Sequence, residues 1–429
     1  MLRSLVGSEM CIRDRPHTKG LRGRALPPTR PQRAKTRENA SSSAFEAGFF
    51  ACQMRRPFHN AERKNIFCYM KNAAVILNLK NALFNLNLVR ERAADADLYA
   101  VVKADAYGHG TTGFARFLSD NGVKRFVAGS LDEGKRLRES GITGEILVLG
   151  ATPPESAEEL CYLKLSQSVF CAEYARELAL AARLNGIKLK VHVKVDTGMN
   201  RLGFPWFAPE QIAASCPTEF FETSGVFTHF GSADGRDAQS EMRTRIQGER
   251  FINCLDGLDK IGFERGVAHC CNSRALFRYP QYRLDAVRVG AALYGIGGAD
   301  RALKPVLSMR APLLQVRFAD KGEYIGYGLR KLERPAKLGI VGAGYGHGIS
   351  RRLSDKGSVL VNGQKCPVVG RICMDFLTVD LTGTEAETGD DVWIIGGGIS
   401  ASDCAKHSGT IDYEIVTALS ARNERLSVR

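Results

Sequence analysis

Leu98-Tyr99-Ala100-Val101-Val102-Lys103, running into Ala104-Asp105-Ala106-Tyr107-Gly108-His109-Gly110, is the stretch that decides the fold. Its apolar part is short, with paired valines near its end, and reads as a buried strand closed by a lysine and a glycine-containing loop. Comparable short runs recur at 125–129, 145–150, 188–195, 225–229, 266–269 and 286–288. Helices are expected between them over 132–139, after Pro153-Pro154, over 172–185 and over 241–258. Strand, loop and helix alternate through about 230 residues, which predicts a parallel α/β architecture. A closed TIM-type (β/α)8 barrel fits that length best. An open doubly wound sheet is the alternative, but no G-x-G-x-x-G joins a first strand to its helix.

The texture changes after about Pro305. Short runs at 313–317, 338–341, 358–361, 377–381 and 391–395 read as strands, with turn sequences such as Asn362-Gly363 between them. Helical periodicity is nearly absent until 414–421, which reads as a short closing helix. The expected organisation is a leader over 1–69, a barrel over 70–304 and a C-terminal all-β domain over 305–429.

The chain of 429 residues carries a formal net charge of +14, with 60 Lys plus Arg against 46 Asp plus Glu. Residues 1–69 hold 14 basic and 5 acidic side chains, a net of +9, leaving a net of +5 on the other 360 residues. The leader is interrupted by Pro16, Pro27, Pro28, Pro31 and Pro57 and lacks periodicity, so it is expected to be disordered. An Arg-rich, acid-poor segment also reads as a mitochondrial transit peptide. The string Met10-Cys11-Ile12-Arg13-Asp14-Arg15 resembles a translated sequencing adapter, which favours a non-native extension with Met70 as the start. No run is long enough to span a membrane. Cys11, Cys52 and Cys68 lie in the leader; the other nine cysteines show no C-x-x-C and no spacing suited to zinc. Reduced thiols and a cytoplasmic location are therefore expected. Cys270 and Cys271 are adjacent, and on a strand they would point to opposite faces.

Barrels carry their chemistry at the C-terminal ends of their strands. Lys103 stands at such an end, where burial lowers an amine's pKa and favours attack on an aldehyde cofactor. Spacing alone allows equally a lysine that merely snorkels to water. His109, between two glycines, reads as a loop histidine with a structural hydrogen bond.

The 101–110 segment resembles the pyridoxal-phosphate lysine motif of the alanine racemases, a fold type III barrel family, and the resemblance extends from about Met70 to Arg429. Further blocks follow in register: Val193-Lys-Val-Asp-Thr-Gly-Met-Asn-Arg-Leu-Gly203, Phe227-Thr-His-Phe-Gly-Ser-Ala-Asp234, His269-Cys-Cys-Asn-Ser273, Arg288-Val-Gly290 and Leu293-Tyr-Gly295. In the β-rich part come Gly326-Tyr-Gly328, Gly344-Tyr345, Gly370-Arg-Ile-Cys-Met-Asp375 and Asp412-Tyr-Glu414.

The resemblance implies pyridoxal 5'-phosphate, held through Lys103 and Tyr107. Ser273, the backbone of Gly290 and Ala291, and the Tyr413 hydroxyl would cradle its phosphate. Taken alone, Ser273 would be an ordinary turn serine. Arg288 matches the arginine that faces the pyridine nitrogen; a guanidinium does not give up its proton, so that nitrogen stays unprotonated and the ring is a weaker electron sink. Lys103 and Tyr327 match the two bases that serve opposite faces of alanine. A free tyrosine, with a pKa of about 10, is a poor base at neutral pH. His229, linked to Arg288, is implied to support it. Arg201, Met374 and Asp375 are implied to bind substrate, Lys194 to be a candidate for carbamylation, and Tyr345 with Tyr413 to gate the pocket. A homodimer is implied, each site completed by the partner's β-domain, supplying D-alanine for peptidoglycan.

Two positions depart from the family pattern: the usual acidic residue is missing from Gly344-Tyr-Gly-His-Gly348, and Arg274 follows Asn272-Ser273 where a small residue is common. Competing readings are a broad-specificity or serine racemase, a same-fold basic amino-acid decarboxylase and a barrel-only carrier that binds the cofactor without turnover. No metal site is expected, and basic residues do not cluster with stacking aromatics as nucleic-acid binding requires.

Overall fold

Eight parallel strands close on themselves in the computed structural model, which describes residues 72–428. The expectations for residues 1–69, their three cysteines and Met70 lie outside the described residues. The barrel strands are Asp97–Val101, Arg125–Ala128, Glu145–Val148, Ser166–Val169, Leu189–Asp196, Phe221–Phe227, Val267–His269 and Ala286–Val289. Each pairs with the next in chain order, and the last pairs back to the first, with Arg288 opposite Tyr99. The closed barrel is thus the architecture, not the open sheet.

The strand Ser166–Val169 has no counterpart in the sequence reading, because Ser-Gln-Ser-Val carries little apolar signal. All four residues are nevertheless buried. Burial of Gln167 is tolerated because its amide is satisfied: Thr152 Oγ1 donates to its Oε1 (2.7 Å), and its Nε2 donates to the Gly150 carbonyl (2.7 Å). The outer helices follow ordinary start signals. Ser130 caps Leu131–Glu139 by accepting from Glu133 N, and Asp237 caps Ala238–Lys260 by accepting from Ser240 N.

Three features of the β-rich part differ from expectation. The strand Ala74–Asn78, within the range assigned to the barrel, pairs instead with Leu307–Ala319 (antiparallel) and Glu424–Val428 (parallel). The closing helix is shorter, Asp412–Thr417, and the last described element is that strand Glu424–Val428. A further helix, Ala401–Ser408, opens with a reciprocal Ser400–Asp403 capping box and ends at Gly409 in the left-handed region. Val306, Leu307 and Met309 share one apolar core with Leu293 and Tyr294, so the two parts bury common surface. Cys270 and Cys271 do not diverge: they follow the strand Val267–His269, and both thiols reach the Tyr282 carbonyl, at 3.0 and 3.1 Å.

Candidate active site

Lys103 stands just past the strand Asp97–Val101 and opens a left-handed turn: Ala104, Asp105, Ala106 and Tyr107 all have φ between 51° and 54°. This conformation costs an L-residue about 1–2 kcal/mol, so four in succession require external support. Glu133 supplies much of it. Its Oε1 accepts from Ala104 N and its Oε2 from Gly129 N, both at 2.7 Å, tying the turn to the next strand end. Asp105 accepts from Thr111 N (2.9 Å) and from Arg425 Nη2 (3.1 Å), anchoring the turn to the strand Glu424–Val428. Gly108 lies so close to the Val416 carbonyl that a Cβ would come within 1.9 Å of it. His109 has the structural hydrogen bond expected of it, Nδ1 to the Tyr107 carbonyl at 2.9 Å.

A cavity of about 760 Å³ opens beside this turn, lined by Lys103, Tyr107, Lys194, Arg201, His229, Ser273, Arg288, Gly290, Ala291 and Tyr413. Ten sequence-predicted residues therefore meet in one place. Burial, and then the Arg201 charge, lower the Lys103 amine's pKa, while Glu133 opposes the shift. Lys194 is brought down to about 7, chiefly by burial and then by Arg288; its Nζ donates to the Val195 carbonyl at 2.9 Å.

Arg288 is buried and donates in several directions. Its Nη1 reaches His269 Nδ1 (2.8 Å) and the His269 carbonyl (2.7 Å); its Nη2 reaches the Thr228 carbonyl (2.6 Å) and His229 Nδ1 (3.3 Å). Burial lowers Arg288 only to about 10, so the guanidinium keeps its charge at neutral pH. The His229 imidazole falls well below its ordinary value, through burial and then Arg288, and is neutral. Because Arg288 can only donate, the lone hydrogen of His229 lies on Nε2.

The cradle differs in detail from the expected one. Gly290 N and Ala292 N both donate to Ser273 Oγ at 3.2 Å. With both lone pairs occupied, the Ser273 hydroxyl is left as a donor. Glycine is required close by: a Cβ on Gly290 would lie 2.8 Å from Tyr107 Oη, and one on Gly297 2.3 Å from Tyr413 Oη. Burial raises the pKa of both tyrosines, so they too are hydroxyl donors at neutral pH. Neutral donors around a space only glycine leaves open suit a small dianionic group, and an amine of lowered pKa suits an aldehyde; the residues fit pyridoxal 5'-phosphate.

Tyr327, Tyr345, Met374 and Asp375 do not line this cavity. Tyr327 sits between the short strands Tyr324–Ile325 and Arg330–Lys331, 69% exposed, with Gly326 and Gly328 in the left-handed region on either side. It lines a different cavity of about 1030 Å³ with Arg330 and Arg371. Tyr345 and Met374 travel together, since Tyr345 N donates to the Cys373 carbonyl (2.9 Å) and Gly346 N to the Met374 carbonyl (2.8 Å). Asp375 pairs with Arg422 at 2.7 Å. The departure at Arg274 lines the Lys103 cavity and donates to the Gly298 carbonyl (2.6 Å).

Glu133 was not among the residues singled out from sequence. Ser130-x-x-Glu133 reads as a plain capping box, which hides that the carboxylate supports the lysine turn.

Two family models match the chain: "Alanine racemase, N-terminal domain" over residues 77–297, and "Alanine racemase, C-terminal domain" over 306–427. Among curated relatives, an alanine racemase of Carboxydothermus hydrogenoformans is 38% identical over 368 residues, covering 82% of this chain and 98% of its own length. One of Desulfovibrio desulfuricans is 38% identical over 340 residues, covering 76% and 90%. A solved alanine racemase from Bacillus anthracis with bound L-Ala-P superposes with a TM-score of 0.79 at 31% identity, covering 84% of this chain and 96% of its own. With the barrel and the β-rich part matched in order by these two models and by relatives 31% to 38% identical, the chain belongs to the alanine racemase family, the amino-acid racemases that invert alanine.

Proposed function

We propose that the chain binds pyridoxal 5'-phosphate and interconverts L- and D-alanine with two bases, Lys103 of one copy and Tyr327 of a second. The observation that carries this reading is a division. The Lys103 cavity has the donors for the cofactor, while Tyr327, Tyr345 and Met374 stand exposed on the β-rich part and away from it. A homodimer bringing these three residues to the partner's cavity completes the site.

When bound, the cofactor supplies an electron-withdrawing ring that acidifies the α-hydrogen of alanine. Lys103 Nζ, its pKa lowered, takes and returns a proton on one face. Tyr327 does so on the other, its phenolate held by the Nε2–H of His229. Arg201 steadies the substrate carboxylate, with Met374 and Asp375 closing the pocket. Ser273, Gly290, Ala291, Tyr107 and Tyr413 hold the phosphate end, and Arg288 faces the pyridine nitrogen. Lys194, at about 7, has the free amine that carbon dioxide requires, so its carbamylation belongs to the same proposal. The gate of Tyr345 and Tyr413 selects alanine.

No helix among the described residues is long and apolar enough to cross a membrane. A cytoplasmic enzyme supplying D-alanine for peptidoglycan is the setting we propose. The test is incubation of the full chain, loaded with pyridoxal 5'-phosphate, with L-alanine, L-serine or L-lysine in deuterium oxide, following α-hydrogen exchange and chirality. Inversion of alanine with deuterium incorporation supports the reading. Equal inversion of serine replaces it with broad specificity; carbon dioxide release, or no exchange at all, rejects it.

A further inference from the structure

Below the Lys103 cavity, a file of polar side chains descends through the inside of the barrel. Arg288 Nη1 donates to His269 Nδ1 (2.8 Å), His269 Nε2 meets His192 Nδ1 (3.0 Å), and His192 Nε2 meets Glu145 Oε1 (2.9 Å). The two ends fix every hydrogen between them. A guanidinium only donates, so His269 Nδ1 is a lone pair and its hydrogen is on Nε2. That hydrogen goes to His192 Nδ1, and the His192 Nε2–H goes to Glu145. Both histidines are therefore Nε2–H tautomers, and all donors point the same way, from the cation to the carboxylate.

The barrel is built around this file. His269 is stacked between Phe227 (5.1 Å, 4°) and Tyr99 (5.0 Å, 20°), so its ring cannot turn. Both histidines are fully buried. A Cβ at Gly225 would lie 2.5 Å from His192 Nδ1, and the pairing of Leu189–Asp196 with Phe221–Phe227 shifts register at Val191/His192. Glu145, the first residue of its strand, also accepts from Tyr99 Oη (2.9 Å) and from Arg125 Nε (3.1 Å). Burial pushes its carboxyl up, but the bonds from His192 and Tyr99 outweigh this and hold it below its ordinary value, as a carboxylate. Each buried polar group here would be costly unpaired, so the file is present only as a complete set. The two-base chemistry assigns none of His269, His192 and Glu145 a task.

We propose that Glu145, His192 and His269 are positioning residues that supply Arg288 with a distant counter-charge and thereby set how it meets the ring nitrogen. The file occupies Nη1 from below, while Thr228 and His229 occupy Nη2. Among the described residues every hydrogen bond of Arg288 runs from Nη1 or Nη2, and Arg288 lines the cavity, leaving the Nε–H for the ring. The counter-charge acts from the opposite end of the barrel and so never competes for the cavity. This role rests on the cofactor reading above; the tautomers do not.

The test begins with the full chain labelled with [15N]histidine, whose ring tautomers are read by long-range proton–nitrogen correlation with and without pyridoxal 5'-phosphate. Nε2–H tautomers at both His192 and His269 are expected in both states; an Nδ1–H tautomer or an imidazolium at either overturns the inference, whatever the enzyme does to alanine. The second arm is Glu145→Gln, which keeps an acceptor for His192 and removes the charge. In the loaded variant the 15N signal of the pyridine nitrogen is expected to move, with kcat falling severalfold and KM unchanged. An unmoved ring-nitrogen signal overturns the counter-charge. Tyr99→Phe, which keeps the charge and removes one donor to it, is expected to move that signal less, and an equal or larger shift also counts against the inference.

Discussion

Arg288 Nη2 donates to His229 Nδ1, which places the single hydrogen of His229 on Nε2, the nitrogen free to meet a phenolate. Replacing His229 by Phe removes that donor, and with it the hydrogen bond that would hold a Tyr327 phenolate in the proposed two-base site. The expected result is a fall in kcat/KM at pH 7 of about 10²-fold for L-alanine, partly recovered as pH rises, so that the ascending, acid-side limb of the profile is displaced to higher pH. A pH–rate series on the variant checks it.

Glu133 holds two backbone N–H groups at once, and the left-handed turn after Lys103 depends on one of them. Glu133→Ala removes the partner of both, at about 1–3 kcal/mol if the part-buried Gly129 N–H goes unpaired and less for the exposed Ala104 N–H, which water can reach. Denaturant unfolding is expected to show that loss. Cofactor loading, followed by absorbance, is expected to fall further than stability alone explains, because Lys103 loses its position.

Gly297 has φ +69°, and a Cβ there would lie 2.3 Å from Tyr413 Oη. Gly297→Ala is expected to displace that hydroxyl from the phosphate cradle. The Kd for pyridoxal 5'-phosphate rises about tenfold, the equivalent of roughly 1.4 kcal/mol, while kcat at saturating cofactor stays near its starting value. Equilibrium titration together with kinetics separates the two.

Lys194 ties stability to pH. Folded, it gives up its proton from about pH 7; unfolded, it keeps it to about 10.4. Between these values the unfolded chain binds more protons, so this group makes stability rise with pH across that window and contributes no slope below it. Lys194→Met is expected to lose that rise in urea midpoints measured in carbon-dioxide-free buffer. Bicarbonate is expected to remove it from the unmodified chain by converting the amine to a carbamate.

Much of this site was legible from the sequence, because strand ends announce themselves by an apolar run stopped by one polar residue. Lys103 is of this kind, whereas His229 and Arg288 stood out only through the resemblance of their motifs to the family's, and the structure brings all three to one cavity. Long-range pairings left no such mark. Ala74–Asn78 reads like any strand, and its union with Glu424–Val428 spans nearly the whole described chain. Ser166–Val169 was hidden because its burial is made possible by hydrogen bonds from distant groups rather than by apolar side chains. The left-handed turn also escaped notice: only Gly108 and Gly110 hint at it, while Ala104 to Tyr107 are ordinary residues held there by Glu133 and Arg425. His192 and His269, 77 residues apart, could be paired only once the barrel had closed.

The shared site is tested most directly by subunit exchange. Lys103→Ala and Tyr327→Phe chains, each inactive alone, are mixed, allowed to exchange and assayed for alanine racemisation, with heterodimer formation followed by native mass spectrometry. Recovery to about a quarter of the unmodified activity is expected, since half the dimers are mixed and each carries one intact site. Heterodimers that form in full and still show no activity above the single variants would contradict it.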